Sequence, residues 1–211
     1  MKKIILALLA MALPPAGLFA VDGVVLINQS TVMTAGGFPY KITQPGSYRL
    51  TGNLVAGLNQ FAIQIVAPNV VLDLNGFNVQ CSADQNIFDQ AACIGDGGAI
   101  APTHNSAIRN GTVTFVESGP HPGAPHPNIL GVGFGASDRM TVENLGIEVR
   151  RDSGVGSFAL TVGANSVVRH NILFPSGIGV CPSIITENVS ASVTIGVSGN
   201  GCVILNNTSA F

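Results

Sequence analysis

One short pattern recurs six times after residue 60: two alternating apolar residues, a turn, a further apolar residue, then an Asn-containing turn. The first member of the opening pair falls at Ile63, Ile100, Val132, Leu160, Ile178 and Ile195. The second marker falls at Leu72, Ile108, Val142, Val168, Ile185 and Ile204, seven to ten residues further on. Toward the C-terminus the step between units shrinks to 17–19 residues, the length of one solenoid turn. A unit this short cannot bury an apolar face by itself, but a stack of such units can.

Composition agrees with many short strands. Of 211 residues 26 are Gly, none is Trp, and only 9% are charged, so turn formers and β-branched residues dominate. After residue 20 no apolar run reaches the roughly 18–20 residues of a spanning helix, so no membrane span is expected in the mature chain. The net charge of −2 argues against a nucleic-acid partner or an anionic membrane surface.

Residues 1–20 read as a bacterial-type secretory signal peptide. Lys2 and Lys3 supply the positive start and residues 4–13 the apolar stretch; Pro14 and Pro15 break the helix, and Ala20 or Ala16 offers a small cleavage residue. Export, to the periplasm, envelope or exterior, would make disulfides available to the four cysteines. Three connectivities are open. Cys81 and Cys93 bracket one polar loop, whereas Cys181 and Cys202 lie between the first and second strands of neighbouring units, so 81–93 and 181–202 is the favoured pairing. Four buried thiols are the alternative. The Cys spacings do not resemble a zinc site.

Alignment on the second marker produces columns. The following position reads Asp73, Arg109, Glu143, Arg169, Thr186, Leu205. Next to an inward residue a strand residue points outward. Stacking would therefore line these side chains up with alternating sign, worth about 0.2–1 kcal/mol per pair and mainly fixing register. Next comes a turn column: Asn75, Gly111, Leu145, Asn171, Asn188 and Asn207, with Asn110, Asn144 and Asn206 one residue earlier. Asn tolerates left-handed backbone and bonds locally, so this column is read as structural. His170 shares it. A third apolar strand follows at Phe77/Val79, Val113/Phe115, Ile147/Val149 and Leu173. Three short parallel strands per turn describe a three-faced solenoid of about six coils.

Residues 39–79 (PYKITQPGSYRLTGNL…AIQIVAPNVVLDLNGFNV) resemble the N-terminal region of exported right-handed parallel β-helix repeat proteins of the pectate-lyase-like superfamily. The segments 42–48 and 69–76 carry the resemblance, and the Asn-x-x-Ile/Val pattern extends it over residues 37–211. It implies an all-β right-handed parallel β-helix over residues 42–211 with an N-terminal cap at residues 21–41. The chain stops at Phe211 in a third-strand position, and truncation, end-to-end self-association and packing by Phe211 itself are the readings of that. The superfamily holds lyases, hydrolases, esterases, epimerases and adhesins, so the resemblance speaks to fold more than to function.

Chemistry is expected in the insertions at residues 80–98, 116–131 and 149–158, which recur at one edge of the stack and would form a rim. The ligand-binding candidates there are Arg150, Arg151, Asp152, Glu117, His121 and His126. An Arg fork suits a carboxylated sugar; a solvated ion pair is the plainer reading. The two imidazoles lack an obvious third metal ligand. Asp84, Asp89 and Asp96 are candidate calcium ligands, although their spacing matches no recognised calcium loop, and no cofactor is assigned. Lyases of this superfamily resemble one another in an acidic calcium cluster with a basic residue on the first-strand face. The corresponding outward positions here read Gln64, Ala101, Gly133, Thr161, Gly179 and Gly196, and no catalytic residue is assigned. Glycoside hydrolysis would need two placed carboxylates. The expected role is therefore binding or structural, toward a polysaccharide. A lyase or hydrolase with its site in the rim, and an adhesin or self-assembling module, are the alternatives.

Overall fold

The computed structural model describes residues 23–84, 91–96, 103–117, 129–151, 157–174, 177–180, 182–190, 196–198 and 200–209. The expected signal peptide, His121, His126, Asp152, Asp89 and Cys181 lie outside them.

The chain opens with β1 (Val24–Ile27), α1 (Gln29–Thr34), β2 (Tyr40–Ile42), β3 (Gly46–Leu50) and β4 (Leu54–Leu58). Then come β5 (Ile63–Ile65), β6 (Val70–Asp73), β7 (Asn78–Ala83), β8 (Ala91–Gly95) and β9 (Ala107–Glu117). The next five are β10 (Ile129–Phe134), β11 (Thr141–Arg151), β12 (Ser157–Val162), β13 (Val167–Arg169) and β14 (Ile172–Phe174). The last six are β15 (Gly177–Val180), β16 (Ile184–Thr186), β17 (Val189–Ser190), β18 (Gly196–Ser198), β19 (Val203–Leu205) and β20 (Thr208–Ser209). The described residues are thus all-β with one short helix.

Seven strands form one sheet in the order β18-β15-β12-β10-β8-β5-β2, and thirteen form a second sheet whose main path is β1-β3-β6-β9-β11-β13-β16-β19. The chain alternates between the sheets, and the described strand pairings are parallel. Parallel neighbours cannot be joined by a hairpin. Here the connection runs through the other sheet.

The second-marker column is continuous in the register. Val25 pairs with Tyr48, Tyr48 with Leu72, Leu72 with Ile108, and so on through Val142, Val168, Ile185 and Ile204. Members from Tyr48 to Ile185 are buried in one apolar core. The column reaches two strands further toward the N-terminus than the repeats after residue 60 predict, because Tyr48 stands where later units carry an aliphatic. Its hydroxyl reaches past the apolar layer to donate to the Gln44 carbonyl at 2.8 Å.

Three register expectations are corrected. The first-strand position after Ile63 is Ile94, not Ile100, which lies outside the described residues. Both segments alternate acceptably, but a Cys81–Cys93 disulfide ties β8 to β7. Leu160 pairs with Gly177 rather than Ile178. The fold keeps eight residues from Leu160 to Val168 and from Gly177 to Ile185, so connection length overrides apolarity. In the third strand Val79, not Phe77, aligns with Val113, Ile147 and Leu173.

Before β2, Asn28 caps α1: its side chain accepts from Thr31 N–H at 3.0 Å while its own N–H donates to Thr31 Oγ1 at 2.9 Å. Val32 from this helix is buried in the core. Among the described residues no helix is long and apolar enough to cross a membrane.

Burial pushes the Tyr40 and Tyr48 phenols up from 10.0, Tyr48 further because Tyr40 is beside it. A pKa raised by folding means stability complete below the unfolded value and lost as pH rises through the folded one. These are the chain's two tyrosines and it has no Trp, so tyrosinate absorbance reports them cleanly. We expect both to titrate above 10 in the native protein, with the midpoint falling back and stability lost together as pH climbs. A native midpoint at the ordinary value would contradict their burial.

Candidate functional site

Each repeat carries outward rows on both sheets. On the larger sheet the row beside the core column runs Leu26, Arg49, Asp73, Arg109, Glu143, Arg169, Thr186, Leu205. The expected alternation of sign holds and extends one position, to Arg49. Arg169 Nη2 lies 2.7 Å from Glu143 Oε2, and Arg109 Nε 3.5 Å from Asp73 Oδ2. A one-repeat slip would set like charges together, so this row fixes register.

The turns following that row hold left-handed residues at Asn75, Asn110, Asn144, His170, Glu187 and Asn206, with φ of 52–62°. His170 Nε2 meets a Glu187 carboxylate oxygen in the next repeat. In a parallel row of turns at Asn69, Asn105, Arg139 and Asn165, His104 Nδ1 contacts Asp138 Oδ1. That contact, with Arg139 beside it, holds the Asp138 carboxyl below its ordinary value. Both imidazoles therefore serve as clips between turns.

Rim residues divide sharply. Glu117 is the last residue of β9, in register with Ala83 on one side and Arg151 on the other. The fold thus brings the Glu117 and Arg151 backbones side by side, as a shared rim requires. Yet Glu117 is buried (1% exposed), which withdraws it from direct contact with a ligand in solvent. Its parity offered the signal: Val113, Phe115 and Glu117 alternate on one face of β9, and the first two are core residues. Arg150 lies exposed, its Nε 2.6 Å from Glu148 Oε1, which holds the guanidinium in its charged form. The pair joins two residues of β11 and so lies on a strand rather than in a turn.

Of the calcium candidates, Asp84 is bound to Asn59, whose Nδ2 donates to Asp84 Oδ1 at 2.8 Å. Asp96 is buried and accepts the Ser137 hydroxyl at 2.6 Å, while Ser137 Oγ accepts from Thr103 N–H at 2.9 Å. Sequence reading missed this buried polar knot, since neither Thr103 nor Ser137 sits in an apolar column. Among the described residues no three His, Cys, Asp or Glu side chains group to hold a metal ion. Cys81 and Cys93 are joined, as the loop they bracket suggested; Cys202 is also disulfide-bonded.

On the smaller sheet the register sets the outward row as Lys41, Gln64, Gly95, Gly133 and Thr161, and the backbones of Ile178 and Gly196 continue the same alignment. Gly95 and Ile178 replace the expected Ala101 and Gly179. The face is less bare than its glycines imply. A neighbouring row joins Ala92 to Leu130, and both are buried outside the main core, Leu130 at 2% exposed. The added methyl of an alanine at Gly133 would meet Ala92 Cβ at 2.9 Å and Leu130 Cδ1 at 2.8 Å. Alongside, Thr161 Oγ1 is buried with no hydrogen-bond partner. The centre of this face is therefore packed over, and a long open groove along it does not exist there.

Compared with known proteins, the chain matches no family model, no curated protein and no solved structure.

Proposed function

We propose that this chain is an exported right-handed parallel β-helix, capped at its N-terminus by α1 and the strands around it, that binds polysaccharide without cleaving it. The continuous core column supports the coil, and strand–crossover–parallel strand connections are right-handed almost without exception. The observation that carries the binding role is the occupation of acids among the described residues. Asp73, Asp84, Asp96, Asp138, Glu143, Glu148 and Glu187 each hold a neighbouring side chain, and the outward row of the smaller sheet contains no carboxylate. Hydrolysis would need two carboxylates facing one bond. What remains for recognition is Lys41 and Gln64 at the N-terminal end of the smaller sheet's outward row, and the exposed Arg150 at the rim.

The test is a polysaccharide panel, neutral and uronate-containing, scored for binding and for new reducing or unsaturated ends with and without calcium. Binding without cleavage is the expected result. Cleavage of any member overturns the reading and returns the enzyme alternative to the rim. Failure to bind every member removes the carbohydrate partner.

One observation favours a second reading, a self-assembling surface module. The outward rows of the later strands turn apolar, with Ile172, Phe174, Ile184, Val203 and Leu205 exposed, and large exposed apolar patches mark interaction surfaces. A sedimentation mass that rises with concentration would support it.

A further inference from the structure

A groove of about 380 Å³ lies between α1 and β4. Among the described residues the strand β4 pairs with β7 alone, so its other edge offers main-chain groups to whatever lies beside α1. Gln29 now sits there. Its Nε2 donates to the Val55 carbonyl at 3.1 Å, and Val55 N–H donates to Gln29 Oε1 at 2.9 Å. One primary amide thus supplies the donor and acceptor that a neighbouring peptide unit would supply to a strand edge. Edge strands left in this state are templates for pairing unless blocked.

We infer that this groove accepts an extended, uncharged peptide segment, which adds to the edge of β4 and displaces Gln29. The mode is strand addition, in which main-chain hydrogen bonds give affinity and side-chain pockets give selectivity. Three features fit it. Gln29 and Met33 lie four residues apart on α1 and so share a helix face, and both line the groove. Met33 is 58% exposed and Val55, across from it, 51%, giving apolar walls for alternate side chains. Gly36 and Gly37 hold left-handed φ of 109° and 89°, and a Cβ at either would meet nothing within 4 Å, so that wall is open.

Charge narrows the occupant. No lining residue is ionisable, so a charged segment would lose hydration with nothing to replace it. A glycan is the less suited occupant. Phe38, the aromatic here, packs against the core, and the Gln29 amide is spent on main chain rather than turned outward toward hydroxyls. The site is independent of the polysaccharide reading.

The experiment selects a displayed random dodecapeptide library on the purified chain, with neutral oligosaccharides titrated in parallel, and measures affinities for Gln29→Ala, Val55→Pro and Met33→Glu. Enriched peptides should lack charge at alternating positions. Gln29→Ala should tighten them about tenfold by removing a competitor worth about one net hydrogen bond. Val55→Pro deletes the edge N–H and should abolish binding. Should that variant fail to fold, Met33→Glu, altering an exposed side chain, should weaken binding at least tenfold with an unchanged melting temperature. No enrichment, binding indifferent to Val55→Pro and Met33→Glu, or oligosaccharides that bind in place of peptide and are lost in Met33→Glu would each overturn the proposal. Oligosaccharide binding that survives both variants leaves the polysaccharide reading standing by itself.

Discussion

Replacing Asn188 with alanine is expected to cost about 3–5 kcal/mol, among the largest losses any single polar residue here can produce. Asn188 is fully buried (0% exposed) and is the middle of a three-asparagine stack. Its Oδ1 accepts from both the Asn171 backbone N–H and Asn171 Nδ2, each at 3.0 Å. Its Nδ2 donates to the Val168 and Thr186 carbonyls and to Asn207 Oδ1, each at 3.0 Å. Asn171 repeats the arrangement one unit earlier, accepting from Leu145 N–H and donating to the Val142 carbonyl. Alanine would leave the buried Asn171 N–H and Val168 carbonyl without these partners, and each such group costs its full desolvation. Asn188→Asp separates the two halves. It keeps the acceptor toward Asn171 but faces carbonyls with an anion. Its loss should be as large at neutral pH and shrink as pH falls and the carboxyl protonates, because burial raises a carboxyl pKa and stability then returns with the proton. Urea unfolding of the three proteins decides it. A loss for Asn188→Ala near the ±0.5 kcal/mol of an ordinary surface change would mean that the stack is ornamental.

The asparagine stack, the charge row and the core column were all readable from sequence for one reason. From each second marker after Leu72 to its left-handed turn the chain runs two residues without insertion: Ile108 to Asn110, Val142 to Asn144, Val168 to His170, Ile185 to Glu187, Ile204 to Asn206. Fixed spacing makes columns visible. The smaller sheet lacks this aid. Insertions of variable length precede its strands, so alternation alone had to set its register, and β15 (GIGV) has too few large side chains to fix a two-residue period. A one-residue slip reverses every side chain, and alternation alone sets Ile178 rather than Gly177 beside Leu160. The packing over the Ala92–Leu130 row was invisible for a different reason. An outward Leu reads as an inward one until the partner strand is known. At the rim, sequence supplied candidate chemistry without burial: nothing local separates exposed Arg150 from buried Glu117 except the parity of β9. The buried knot of Asp96, Ser137 and Thr103 joins residues up to 41 apart in sequence and left no periodic trace.

That same knot makes Gly163 intolerant of even one methyl group, and Gly163→Ala should lose about 3 kcal/mol or more. The backbone of Gly163 is not left-handed, so the cost arises from space rather than conformation. An alanine methyl there would press into the Ser137 carbonyl and lie 2.8 Å from its carbon and 3.3 Å from the Gly135 oxygen. A flexible side chain could swing clear; a peptide unit cannot. Ser137 is held by its N–H to the Phe134 carbonyl at 3.0 Å, by its hydroxyl to Asp96, and by Thr103 N–H. Gly163 is itself fixed, its N–H donating to the same Phe134 carbonyl at 2.9 Å while its own carbonyl accepts the Ser166 hydroxyl at 2.7 Å. Either peptide must move, and moving Ser137 strips a hydrogen bond from a buried carboxylate. Gly135→Ala is the matched control. A methyl there meets only Thr161 Oγ1 at 3.8 Å, an ordinary contact, so it should be neutral or stabilise by about 0.4–1 kcal/mol through the unfolded chain. Equal losses for the two glycines would show that backbone freedom, not close approach, explains them. A loss confined to Gly163 ties the spacing of neighbouring repeats to the seating of Asp96 at the start of the rim.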